Sequence, residues 1–103
     1  MITIDEIKST LIKHDIFNKY NIDKIGIFGS FARGEDFNDI DFYIDEDDFD
    51  YEKAEALQIE LERIIQIKVD LMRKEIANPI VLYRAQKDMI YVTLWNWWFI
   101  IFS

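Results

Sequence analysis

The sequence predicts an α/β (α+β) domain, a small mixed β-sheet flanked by helices, and three observations carry that expectation. Apolar residues recur at helical spacing over residues 3–17 and again over 51–65, and they alternate with polar ones over 39–45 and 65–71. Helical and strand periods therefore succeed one another along the chain, as in folds that lay helices against a sheet. The length of 103 residues, with 50% hydrophobic and 16% aromatic content, suffices for one buried core and no more.

The first helix opens at Thr3, where Thr3-Ile4-Asp5-Glu6 forms a capping box, and Ile4, Ile7, Leu11 and Ile12 carry it to about Phe17. Lys24-Ile25-Gly26-Ile27-Phe28 reads as a short buried strand that ends at a Gly29-Ser30 turn, with one helical turn over residues 30–34. Over residues 39–45, apolar Ile40, Phe42 and Ile44 alternate with Asp39, Asp41, Tyr43 and Asp45, a half-buried strand with an acidic face. Residues 51–65 return to helical spacing, with Tyr51, Ala54, Leu57, Leu61, Ile64 and Ile65 inward and Glu52, Glu55, Glu60, Glu62 and Arg63 toward solvent. A strand follows over 65–71, with Gln66, Lys68 and Asp70 on its polar face. Asn78-Pro79 supplies an N-cap and first-turn pair for a last helix to about Lys87, and a final strand starts at Met89.

Charge and composition exclude several classes of function. Twelve basic against twenty acidic residues give a net charge of −8, the wrong sign for gripping a nucleic-acid backbone directly. An acidic site still accepts a nucleotide if metal ions carry the positive charge. The chain has no cysteine, so it has neither disulfides nor a thiolate zinc site, which suits the cytoplasm. Its N-terminus lacks the basic and apolar regions of a signal peptide. The apolar run over residues 89–102, interrupted by Asn96, is shorter than the about 20 residues a membrane span needs and reads as a buried strand or a partner surface.

Candidate chemistry concentrates in one constellation. Asp39 and Asp41 lie on one face of a strand, about 7 Å apart at Cα, and Asp70 joins them if its strand is a neighbour. Three carboxylates at about 4 Å repel by about 4 kcal/mol per pair at an effective dielectric near 20, so the cluster makes sense only with cations. All-oxygen donors select Mg²⁺ or Mn²⁺, and two such ions form a clamp for in-line displacement at phosphorus. Gly29-Ser30 fits the same site, because glycine lets backbone approach a phosphate and the following amides point at it. Arg33 is placed either to contact phosphate or to brace the loop, and Gly34 frees the chain to turn back.

Each feature also has a plainer reading: a D-x-D pair is commonly a solvated face, and a Gly-Ser pair is commonly a turn. The order of the features is what favours the functional reading. Other constellations are weaker. The stretch over residues 35–50 holds nine acids in sixteen residues but lacks the glycine and terminal glutamate of an EF-hand. His14 has no metal-ligating partner, and Ser30 has no histidine to activate it.

Gly29-Ser30-Phe31-Ala32-Arg33-Gly34, four residues, then Asp39-Ile40-Asp41 resembles the signature of the minimal nucleotidyltransferases of the DNA polymerase β superfamily. The resemblance extends from about residue 3 to the Ile90-Tyr91 pair. Short length and the Asn78-Pro79 helix look most like the MNT antitoxin branch, encoded beside a helical HEPN-domain toxin. The resemblance implies a polymerase β-like nucleotidyltransferase fold and a type VII-like antitoxin that transfers AMP from ATP to a tyrosine hydroxyl of the toxin. It implies two Mg²⁺ ions, or Mn²⁺, held by Asp39, Asp41 and Asp70 as the catalytic set, and nucleotide binding by Gly29, Ser30 and Arg33. A HEPN toxin and ATP are the implied partners, with no direct nucleic-acid or membrane contact, and a homodimer is left open. Two features depart from the family: Asn38 stands where a serine usually precedes the first aspartate, and the aromatic tail matches nothing in it. The expected division is a nucleotidyltransferase domain over 1–93 and an apolar tail over 94–103. Transfer to a small molecule such as an aminoglycoside, or inhibition by binding alone, are the alternatives.

Overall fold

The structure, a computed structural model, describes residues 2–94. Residues 95–103, to which most of the aromatic tail and its expected interface belong, lie outside the described residues.

Helix α1 (Ile4–Lys13) begins as its sequence dictates: Thr3 accepts a hydrogen bond from the Glu6 amide at 3.1 Å and its hydroxyl reaches Glu6 Oε1 at 3.3 Å. It stops four residues before the expected end. Asp15 adopts a left-handed conformation with φ 56°, and its carboxylate accepts from the Asn18 side chain at 2.8 Å. This break starts a separate turn, α2 (Ile16–Lys19), and turns Ile16 and Phe17 into the core while Ile12 stays outside.

Strand β1 (Lys24–Phe28) runs into the short helix α3 (Gly29–Ala32), and β2 (Asp39–Ile44) returns antiparallel to β1. Helix α4 (Tyr51–Ile65) has the expected bounds, capped by Asp50, whose carboxylate accepts from the Lys53 amide at 2.9 Å. Strand β3 (Lys68–Arg73) begins later than the alternation suggested, because Ile65 belongs to the buried stripe of α4 and Gln66, at φ 66°, ends that helix. A 3₁₀ turn (Lys74–Ile76) leads to α5 (Pro79–Gln86), where the Asn78 side chain accepts from the Ile80 amide at 2.9 Å, and β4 (Ile90–Thr93) completes the sheet.

The sheet order is β3-β2-β1-β4. β1 pairs antiparallel with both neighbours, whereas β2 and β3 are parallel, as a helical crossover through α4 requires. Ile25, Ile27, Ile40, Phe42, Val69 and Val92 share one face of the sheet and pack on α1, α2 and α4 through Ile7, Leu11, Ile16, Leu57 and Leu61. Edge strand β3 is covered by that same crossover helix: Val69 N–H donates to Glu62 Oε2 at 3.0 Å, and Gln58 Nε2 donates to the Val69 carbonyl at 2.9 Å. On the opposite face Gly26 lies between Tyr43 and Tyr91, and a Cβ there would meet the Met89 sulfur.

Three side chains sit on the other side from that expected. Tyr51, at the first position of α4, is exposed. Glu60 is buried, because Lys19 Nζ at 2.8 Å and the Tyr20 hydroxyl at 2.6 Å close over its carboxylate from α2. Those two hydrogen bonds hold its pKa below the usual glutamate value, and burial beside it lifts the Tyr20 hydroxyl to about 12. Tyr43 is buried too, so the acidic face of β2 is confined to the end that carries Asp39 and Asp41. No helix among the described residues is long and apolar enough to cross a membrane.

Candidate active site

Strand pairing assembles the site. Asp41 is the partner of Phe28, the last residue of β1, on one side and of Asp70 on β3 on the other. Asp39 lies two residues before Asp41 and projects to the same face. One oxygen from each of the three carboxylates lies within 4.8 Å of the others. Asp39 and Asp41 are half-buried and Asp70 is exposed.

This proximity shows in the titration of the central acid. Burial, then the charges of Asp39 and Asp70, push the Asp41 pKa from 3.8 up to about 6, and Arg33 opposes the shift. A second close approach comes from the chain itself. Gly29 has φ 77°, and a Cβ built on it would collide with the Asp41 carboxylate. Glycine is therefore required at this position twice over, for its backbone conformation and for space. Gly34, at φ 76°, has the conformation without the crowding, since nothing lies within 4 Å of a Cβ there.

Two adjoining clefts open on either side of this point, sharing Phe28 and Val81 in their walls. One, of about 280 Å³, is lined by Asp41, Asp70, Leu71, Met72, Ile76 and Asn78. The other, of about 210 Å³, is lined by Gly29, Arg33, Arg84, Ala85 and Asp88. Along the sheet end the order is thus Asp70, Asp41, Gly29, then the arginines.

The structure brings Asp39, Asp41 and Asp70 together beside Gly29, with Ser30 next in the first turn of α3. Arg33 stands at the cleft wall with its guanidinium already engaged, its Nη1 at 2.9 Å from Asp88 and its Nε at 3.1 Å from Glu35. Other acids of the stretch have partners elsewhere: Asp47 and Asp45 face Lys74 at 3.0 and 3.7 Å, and Asp50 caps α4. The walls contributed by Ile76, Val81 and Arg84 were not singled out from the sequence; the only signal there was the Asn78-Pro79 helix start, which fixes a helix but not what it faces.

Chemically, the donor set is three carboxylates from two strands, with the central acid's proton affinity raised by burial and then by its two acidic neighbours. Hard divalent cations relieve the repulsion among the three and accept oxygen ligands at this spacing, so the residues fit Mg²⁺ or Mn²⁺.

Two outcomes follow from this geometry. Gly34→Ala should cost about 1–2 kcal/mol for its left-handed backbone alone, and Gly29→Ala at least about 1 kcal/mol more because its methyl must displace the Asp41 carboxylate; urea denaturation of the pair measures the difference, and equal losses would contradict the crowding. The second concerns pH. A carboxyl whose folded pKa is raised is protonated more readily in the folded than in the unfolded chain, so its contribution to stability is lost as pH rises from about 4 to about 6. In chelator at pH 7.5, Asp41→Asn should therefore unfold a few degrees above the native sequence, and the advantage should shrink as pH falls through about 6 and be largely gone by pH 3.8. An Asn variant no more stable at pH 7.5 would show that the three acids do not repel as placed.

Known proteins resemble this chain in sequence and in fold. A Methanocaldococcus jannaschii protein provisionally named protein adenylyltransferase MJ1379 is 41% identical over 100 residues, covering 89% of this chain and all of the relative. A solved toxin–antitoxin structure with AMP-PNP matches with a TM-score of 0.68 at 22% identity, over 86% of this chain and 73% of that one. A structure of a tri-AMPylated Shewanella oneidensis HEPN toxin in complex with MNT antitoxin matches with a TM-score of 0.64 at 20% identity, over 87% and 70%. Residues 7–93, which span the sheet, both clefts and all three carboxylates, match the family model described as polymerase beta, nucleotidyltransferase, and the chain accordingly belongs to that family of nucleotidyltransferase enzymes.

Proposed function

We propose that this chain is a protein adenylyltransferase that acts as an antitoxin, transferring AMP from ATP to a tyrosine hydroxyl of a cognate HEPN-domain toxin in the cytoplasm. The observation that carries the reading is the convergence of Asp39, Asp41 and Asp70 against the Gly29 backbone at one end of the sheet. The names of the relative and of the structural neighbours support the choice of a protein as acceptor and of ATP as donor.

In this reading Asp39, Asp41 and Asp70 hold two Mg²⁺ ions, which when bound neutralise charge on the transferring phosphoryl group and acidify the attacking hydroxyl. Gly29 brings the backbone close to the triphosphate, and the Ser30 amide and hydroxyl donate to it. Asp41, between its two partners, would be the shared ligand of those ions, and the α-phosphate would be drawn to it through them. Asp70 lies on the exposed side, so the acceptor tyrosine enters from there: its oxygen bonds to Pα as the bond from Pα to the bridging oxygen breaks. Pyrophosphate leaves with the bonding pair, and the hydroxyl proton passes to the Asp70 carboxylate and on to water. The cleft beside Asp70 is open to solvent and small, which suits one side chain on a flexible partner segment. The net charge of −8 favours encounter with a basic, RNA-binding toxin.

The test is incubation of a cognate HEPN-domain toxin with ATP, Mg²⁺ and substoichiometric amounts of the protein, followed by intact-mass measurement. Added adenylyl groups on tyrosine are expected, with RNase activity lost even after separation. Asp39→Asn and Asp41→Asn should each slow transfer by about 10²-fold or more, and Asp70→Asn should act in the same direction. A silenced toxin of unchanged mass that recovers fully on separation would replace this reading with inhibition by binding alone.

A further inference from the structure

The cleft beside Gly29 contains two arginines in different electrostatic situations. Arg33 is neutralised by Glu35 and Asp88. Arg84, in the last turn of α5, lines the same cleft, and its guanidinium has no ion pair or hydrogen bond among the described residues. In a chain of net charge −8, an uncompensated guanidinium a cleft's width from three carboxylates needs an explanation other than solubility.

The arrangement along the sheet end gives one. Displacement at phosphorus places the attacking and leaving oxygens on opposite sides of the phosphoryl group. With the acceptor entering beside Asp70 and the α-phosphate at Asp41, the leaving pyrophosphate extends past Gly29 into the 210 Å³ cleft. Asp88 in that wall would repel it, but the Asp88 carboxylate is engaged by Arg33 Nη1 at 2.9 Å, and Glu35, the other partner of that guanidinium, is not in the cleft's lining. What remains facing the cleft is the charge of Arg84, whose planar donor fork matches a phosphate.

We propose that Arg84 binds the β- and γ-phosphates of the nucleotide, and so the leaving pyrophosphate, while Arg33 holds Asp88 and the loop after α3 out of the phosphate's way. This inference rests on the cleft's being the nucleotide site. It assigns a phosphate-binding residue to α5, an element outside the Gly-Ser and D-x-D segments, and links the helix capped by Asn78-Pro79 to the reaction.

Calorimetric titration of the purified full chain with AMP-PNP in Mg²⁺ tests it. Arg84→Ala should weaken binding by about 10- to 100-fold, the range for loss of a charge-assisted contact. Arg84→Lys should recover part of the loss, and inorganic tripolyphosphate should compete with AMP-PNP less well in Arg84→Ala than in the native chain. Lys87→Ala removes the same charge from a side chain that lies over the Tyr83 ring instead of the cleft, and should change binding by less than about twofold. Native affinity in Arg84→Ala, or an equal loss in Lys87→Ala, overturns the assignment to Arg84 while leaving the nucleotide site standing. A native chain that binds no AMP-PNP overturns the site and the inference together.

Discussion

The parallel pairing of β2 with β3, in the register that sets Asp41 beside Asp70, is the constraint on which the rest of the structure depends. A slip of one residue in either strand would turn its carboxylates to the other face and its apolar residues out of the core. Several features hold that register. Ile40 opposite Val69 and Phe42 opposite Leu71 bring apolar side chains together on the core side, with Ile40, Phe42 and Val69 buried. Helix α4 spans the crossover, and its Gln58 and Glu62 side chains satisfy both backbone groups of Val69 on the sheet edge. Hydrophobic burial and edge hydrogen bonds thus offset the electrostatic cost of placing three acids at one point.

That cost is the functional content of the fold. Strand pairing sets Asp39, Asp41 and Asp70 at one end of the sheet, so the backbone fixes the spacing of the three carboxylates. Gly29 adds a second element without a side chain of its own: its missing Cβ lets the turn after β1 touch the central carboxylate. In the proposed reading, a phosphate carried by that turn would lie next to the acids, with a cleft on either side.

Much of this was legible in the sequence. The α4 boundaries followed from a clear apolar stripe, and α5 from Asn78-Pro79. The third acid was legible as a polar-face residue on a later strand, although only the sheet order makes β3 the neighbour of β2. Misplaced features have local reasons. Ile65 and Ile67 satisfy both helical and strand periods, so only the left-handed Gln66 decides where α4 ends. The break at Asp15 depends on one backbone conformation that composition does not encode. Glu60 reads as a surface residue because its partners, Lys19 and Tyr20, lie forty residues away in sequence. Arg84 stayed hidden for the same reason: its meaning comes from the cleft that α5 shares with the end of β1, a tertiary fact.

The central claim is that three carboxylates and the Gly29 turn form one metal-assisted nucleotide site. Anomalous diffraction from a crystal grown with Mn²⁺ and AMP-PNP measures it most directly. The account predicts Mn²⁺ peaks among the oxygens of Asp39, Asp41 and Asp70, with the triphosphate running from Asp41 past Gly29 toward Arg84. Nucleotide density with no metal at these carboxylates, or a triphosphate pointing away from Gly29, would contradict it.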